Sequence, residues 1–297
     1  NDTIRFVSGK IAQKARELKL KEFSIITPPT FVWNSISAVS QIIEGAKISL
    51  YKFDKFKADK SDKSPDLTII VSKSNESSKA IKVAEIISEG VIFAKNIANL
   101  PPNECTPTTL ANFAKEISKK NKMKCTIISQ PELKKKGFGG ITAVGKGSKN
   151  EPKLITIEHN HGPKSQKPIV LVGKAVTFDT GGISLKPGQG MDEMKFDKCG
   201  GCTVLGIMKS VSELKLPIML FSQSPLENLN LKVDWIIMGG NLLKDRFFFI
   251  RSPTTSKKCP EYRMVTPQRP LYDLEGFGDL LKNPENYIDN NMEFATY

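Results

Sequence analysis

Histidine is nearly missing from this chain, with two in 297 residues, and the two, His159 and His161, lie close together with Asn160 between them. That scarcity, in an exposed polar run, argues against a His-based triad, and the two-residue spacing rules out an H-E-x-x-H zinc site, which needs histidines one helical turn apart. We expect the pair in an exposed polar hairpin. Long apolar runs are also missing: no window reaches the ~18 to 20 uninterrupted apolar residues that a membrane span requires. The opening stretch NDTIRFVSGK lacks the charged start, apolar centre and small-residue cleavage site of a secretory signal, and a first residue of Asn1 rather than Met points to an incomplete amino terminus. Cysteines are few and scattered, at Cys105, Cys125, Cys199, Cys202 and Cys259, an odd set that does not form a disulfide framework. A reducing compartment follows, and the cytoplasm is the expected location. Acidic residues are outnumbered, 31 against 44 basic, giving a net charge of +13 and a field able to hold anions, nucleic acid included. The lysines are spread along the chain in short runs such as Lys134, Lys135 and Lys136, with none of the interleaved aromatics of a single-strand binder, so a solvated basic surface is the simpler reading.

What is present is a mixture of β-rich and helical segments with an ordinary 39% hydrophobic content, enough for two domains or one large α/β domain. Residues 1–78 read as a small α/β domain with strands near Phe23 to Thr27 and Leu67 to Val71, separated by the loop KSDKSPD. Residues 79–102 follow as a linker helix: Val83, Ile86, Ile87, Val91, Ala94, Ile97 and Ala98 recur at helical spacing, and Pro101 and Pro102 stop it. Thr106 as cap and Pro107 at the first position open another helix through Leu110, Phe113 and Ile117. Strands are expected at Lys124 to Ser129, Leu154 to His159, Pro168 to Val172 and Pro217 to Phe221, and an amphipathic helix through Val204, Leu205, Met208, Val211 and Leu214. Alternation of this kind predicts a doubly wound or mixed α/β sheet over residues 103–228. Residues 229–297 have no clear period.

The most specific stretch is Val172 to Thr203, VGKAVTFDTGGISLKPGQGMDEMKFDKCGGCT, directly after an apolar strand. It sets Lys174, Asp179, Lys186 and Asp197 among glycines where the backbone must turn tightly or approach something closely. Two lysines and two carboxylates in the pattern K-x4-D-x6-K-x10-D read as a metal site at the carboxyl end of a strand, where open α/β sheets bind ligands. Over about thirty positions the stretch resembles the signature VGKGxTFDxGGxSxKPxxxMxxMKxDMxG of the leucyl aminopeptidase (cytosol aminopeptidase) family of two-metal exopeptidases. The resemblance continues to Glu227 and Asn228. It implies a peptide substrate, two divalent ions (manganese or zinc) and assembly as a homohexamer; the lack of a long apolar run leads us to expect no membrane partner. It also implies that Lys174 is an amine ligand, Asp179 a bridging carboxylate, Asp197 a carboxylate on the same metal as Lys174, and Lys186 the ammonium that stabilises the developing oxyanion. An amine ligates only when neutral, so Lys174 requires burial and neighbouring dications.

The family completes its site with NTDAEGR, and that string does not occur here. The nearest segment, Tyr272 to Phe277, keeps Asp273 and Glu275 in a D-x-E-G pattern but has Phe277 in place of the arginine, and it stands farther from Asp197 than the family motif does. Asp273 and Glu275 are thus the alternative ligands, against an exposed turn before a helix. Without them one metal position keeps only Asp179, this chain's own residues provide for one ion or none, and impaired hydrolysis is expected. Family members carry further strands and helices beyond the position of Asn228, so their loss would leave an exposed sheet edge. A second reading is a non-catalytic relative that binds DNA, or a degenerate one. Two further patterns carry less. GITAVGKG at Gly140 to Gly147 misses the hydroxyl residue of a phosphate loop, and Cys199 with Cys202 forms a C-x-x-C that reads as packing at a helix start.

Overall fold

The computed structural model describes residues 2–222 apart from 27–34, 59–63, 71–74, 164, 166 and 167. Asp273, Glu275 and the whole of 229–297 lie outside the described residues. The chain is mixed α/β and forms two compact units, Asn1–Leu100 with Leu205–Leu216, and Pro101–Val204 with the segment from Pro217 onward.

The first unit contains α1 (Asp2–Glu17), β1 (Glu22–Ile26), α2 (Ser35–Ser49), β2 (Asp66–Ile70) and α3 (Asn75–Asn99). Strands β1 and β2 pair in parallel, Glu22 opposite Asp66 through Ile26 opposite Ile70, as strands joined by a helical crossover must. Both alternate in exposure, which turns Phe23, Ile25, Leu67 and Ile69 to one face. Val39 and Ile43 of α2 pack on Ala80 and Ala84 of α3, with Ile69 and Ile81 at the margin. The helix expected from residue 79 starts at Asn75 and stops at Asn99, just before the two prolines. Its small residues let another helix come close: a Cβ added at Gly206 would lie 2.6 Å from the Gly90 carbonyl oxygen, and the Ser210 hydroxyl donates to the Ile86 carbonyl at 3.3 Å.

The second unit opens with α4 (Pro107–Lys120), where Thr106 Oγ1 accepts from the Thr109 N–H at 3.3 Å and Pro107 occupies the first turn. Leu110, Ala111, Ala114 and Ile117 form its buried stripe. There follow β3 (Lys124–Ile128), α5 (Gln130–Lys135), α6 (Gly139–Gly145), β4 (Leu154–Asn160), β5 (Ile169–Leu171), a 3-10 helix (Met191–Lys198), α7 (Cys199–Glu213), which belongs to the first unit from Leu205 on, and β6 (Met219–Ser222). The strands form a mixed sheet in the order β3-β4-β6-β5, with β4 antiparallel to both neighbours and β5 parallel to β6. Most of GITAVGKG lies in α6, where Ile141 packs on Leu133 and Leu154.

One histidine of the pair differs from expectation, while His161 is exposed as expected. His159 is fully buried rather than exposed, because β4 is flanked by β3 and β6 and is covered along nearly its whole length. Its ring stacks on that of His161 with centroids 4.2 Å apart. On the same strand the buried Glu158 carboxylate is met by Lys124 Nζ at 2.8 Å.

Candidate metal centre

Beyond β5 the chain runs from Val172 to Gly190 without helix or strand before entering the 3-10 helix that leads into α7. Two glycine contacts fix its path. At Gly173 an added Cβ would lie 2.6 Å from the Gly200 carbonyl oxygen and 2.8 Å from Gly201 Cα, so backbone meets backbone where the strand leaves the sheet. The Gly201 N–H donates to the Lys174 carbonyl at 2.7 Å across that contact. The 3-10 helix is thereby held beside the strand exit, and Lys174 Nζ reaches Asp197 Oδ1 at 2.8 Å.

The second contact shapes the loop. Gly181 has φ +87°, and a Cβ there would come within 2.3 Å of the Ser184 carbonyl oxygen, so the chain folds back tightly at a conformation that L side chains resist. The turn is closed by the Gly181 N–H donating to Asp179 Oδ1 at 2.9 Å and the Lys186 N–H donating to the Thr180 carbonyl at 2.9 Å. It returns Lys186 toward Asp179, with Nζ 2.7 Å from Oδ2 and 3.2 Å from Met194 Sδ. Ile183 and Leu185 face outward on the same loop.

All four sequence-expected side chains of this stretch are thus drawn together in two ion pairs. Each is mostly covered, with side-chain exposures of 29% and 20% for Lys174 and Asp197, and 23% and 20% for Lys186 and Asp179. Burial opposes ionisation of Asp179. The hydrogen bonds from Lys186 and the Gly181 N–H, with the positive fields of Lys186 and Lys174, overcome it and hold the carboxyl below the usual carboxylate range. Lys174 therefore acts on both carboxylates: it contacts Asp197 and its field reaches Asp179.

These residues fit a divalent cation. Asp197 Oδ2 is buried and accepts no hydrogen bond from the described residues, while its sister oxygen is used by Lys174. A buried carboxylate oxygen with an unfilled lone pair is costly unless a donor or cation meets it. Among the described residues no three of His, Cys, Asp and Glu converge; two carboxylate groups are the donors at hand, and the Lys174 nitrogen would join them only after losing its proton. Oxygen-rich sets of this kind suit manganese, magnesium or zinc.

Sequence reasoning passed over two members of the neighbourhood. Met194 contacts the Lys186 ammonium, a meeting made by a loop and a 3-10 helix, for which no periodicity gives a signal. Lys198 is fully buried at the start of α7, where its ammonium donates to the Lys195 carbonyl. Burial lowers its pKa, opposed by the nearby Cys105, Cys202 and Cys199 thiols. Burial also raises Cys105 and Cys202, against the Lys198 field, so both remain thiols.

Residues 92–229 match the model of the cytosol aminopeptidase family, catalytic domain. A probable cytosol aminopeptidase of Cenarchaeum symbiosum is 52% identical over 230 residues, covering 77% of this chain and 46% of that protein. One from Methylobacillus flagellatus is 44% identical over 186 residues, covering 61% of this chain and 38% of that protein. The chain thus spans less than half the length of these relatives. Among solved structures, the bottromycin maturation enzyme BotP in complex with Mn shares the fold, with TM-score 0.64 and 24% identity over 74% of this chain and 46% of that one. By these matches the chain belongs to the leucyl (cytosol) aminopeptidase family.

Proposed function

We propose that this chain carries the lysine-bearing part of a metallo-aminopeptidase site, in which Lys174, Asp179 and Asp197 hold divalent metal and Lys186 serves the reaction that releases amino-terminal residues from peptides. The observation that carries the proposal is the buried, unpartnered Asp197 Oδ2 beside the Lys174 amine. Bound dications supply a Lewis acid for the scissile carbonyl and activation of water.

The chain's own residues do the remainder. Lys174 and Asp197, held at 2.8 Å by the close approach of Gly173 to α7, present an amine and a carboxylate together. Asp179, kept ionised by its hydrogen bonds, offers a second anion. Lys186 provides a positive charge for the oxygen that gains negative charge in the transition state. The family's NTDAEGR string is absent from the sequence, and Asp273 with Glu275 are the ligands that would replace its acidic residues. We therefore propose one weakly held ion, slow turnover, and homohexamer assembly as in the family.

Hydrolysis of leucine p-nitroanilide with added manganese tests this reading. The expected result is slow turnover, at least a hundredfold below a relative that has NTDAEGR, and lost in Lys186→Ala, on the scale of removing one transition-state donor. Turnover that survives chelation, or that Lys186→Ala leaves intact, would overturn it.

A further inference from the structure

The Lys186 ammonium occupies the position from which a cation would neutralise Asp179. It lies 2.7 Å from Asp179 Oδ2, is held on its other side by Met194 Sδ at 3.2 Å, and its own backbone N–H closes the turn on Thr180. A side chain docked in this way cannot at the same time stand free for a substrate oxygen. We propose that Lys186 is a two-position latch: docked between Asp179 and Met194 it closes the Asp179 half of the site against divalent cations, and a cation binding at Asp179 displaces it toward the substrate side. The inference rests on the metal-site reading above and adds a competition to it.

The docked ammonium and an incoming dication both draw on Asp179 Oδ2 and repel one another at contact distance, so each weakens the other's hold on that oxygen. Metal affinity is therefore reduced by whatever stabilises the docked lysine, and the thioether of Met194, a weak acceptor, adds to that stabilisation. Asp197 lies under Lys174 instead, so the two halves of the site differ: one is latched by a residue that the reaction needs elsewhere, the other by a residue that is itself a ligand.

Manganese binding to the full chain, followed by calorimetry, tests the latch in wild type, Lys186→Gln, Met194→Leu and Lys195→Gln. Lys195 is the neighbouring lysine, with its ammonium placed over the Phe196 ring, and serves as the control for a general change of charge. The latch predicts about tenfold tighter binding in Lys186→Gln, a few-fold tightening in Met194→Leu and less than about twofold in Lys195→Gln, on the scale of a lost charge-assisted contact. A second readout needs no variant: the 13Cε signal of Lys186 in chelator-treated wild type should shift when magnesium or zinc is added, as the side chain leaves Asp179. Equal tightening in Lys186→Gln and Lys195→Gln, or unchanged or weaker binding in Lys186→Gln, overturns the latch. If wild type binds manganese through Asp197, as shown by loss in Asp197→Asn, while Lys186→Gln is unaltered, only the latch fails. If neither wild type nor Lys186→Gln binds at millimolar manganese, the latch and the metal reading fail together.

Discussion

Replacing Gly173 with alanine places a methyl group where the site's backbone is closest. The new Cβ would lie 2.6 Å from the Gly200 carbonyl oxygen and 2.8 Å from both Gly200 C and Gly201 Cα, all main-chain atoms that cannot rotate away. Either the exit of β5 or the first turn of α7 must retreat, and the Gly201 N–H to Lys174 carbonyl bond of 2.7 Å spans that gap. Overpacking of this kind costs about 1 to 3 kcal/mol and the hydrogen bond about 1 more, so we expect a loss of about 2 to 4 kcal/mol. For a domain of this size that lowers Tm by roughly 5 to 15 °C. The same retreat separates Lys174 from Asp197, so manganese affinity should fall as well. Thermal unfolding by circular dichroism and calorimetric titration measure both. Gly188→Ala is the control, since an added Cβ there meets nothing within 4 Å and the backbone is not left-handed. If Gly173→Ala melts within a degree of wild type and binds manganese equally well, the reasoning that this glycine pair builds the site is wrong.

Two further outcomes follow from the same packing and electrostatics. Gly90→Ala puts a Cβ 2.0 Å from Ser210 Oγ and 3.0 Å from the Gly206 carbonyl, so it should destabilise by about 1 to 3 kcal/mol in urea unfolding, with partial recovery when Ser210→Ala is added. A full recovery or none would show that the obstacle is not shared between the hydroxyl and the backbone. Asp179 has a native pKa below its ordinary value of 3.8, so its contribution to stability is present above about pH 3.8 and is lost as pH falls through the lower native value. The stability difference between wild type and Asp179→Asn in chelator-treated protein should therefore shrink between pH 6 and pH 3, and a difference that grows on acidification would contradict the assignment.

Much of this architecture was legible in the sequence because its signals are local. Thr106 and Pro107 mark the start of α4 by cap chemistry, Pro101 and Pro102 end α3, and the motif's glycines mark the two tight contacts by residue type alone. Side chains brought together by non-local packing were not legible. His159 and His161 look like an exposed pair in a polar run, and only the placement of β4 between two other strands buries the first. The Met194 sulfur and the buried Lys198 ammonium belong to a 3-10 helix whose residues follow no amphipathic period, so nothing in the string assigns them to the interior. The pairing of each lysine with a particular aspartate is likewise a product of the Gly173 contact and the Gly181 turn; spacing alone gives four charged residues and leaves their partners open.

The central claim is that Lys174, Asp179 and Asp197 form a cation site. Its most direct measurement is anomalous diffraction at the manganese edge from crystals grown with manganese. The account predicts a peak within bonding distance of Asp197 Oδ2, with Lys174 and Asp179 as its other protein ligands and the Lys186 ammonium withdrawn from Asp179. Crystals in manganese with no peak there, and with the Lys174 to Asp197 and Lys186 to Asp179 pairs intact, would contradict it.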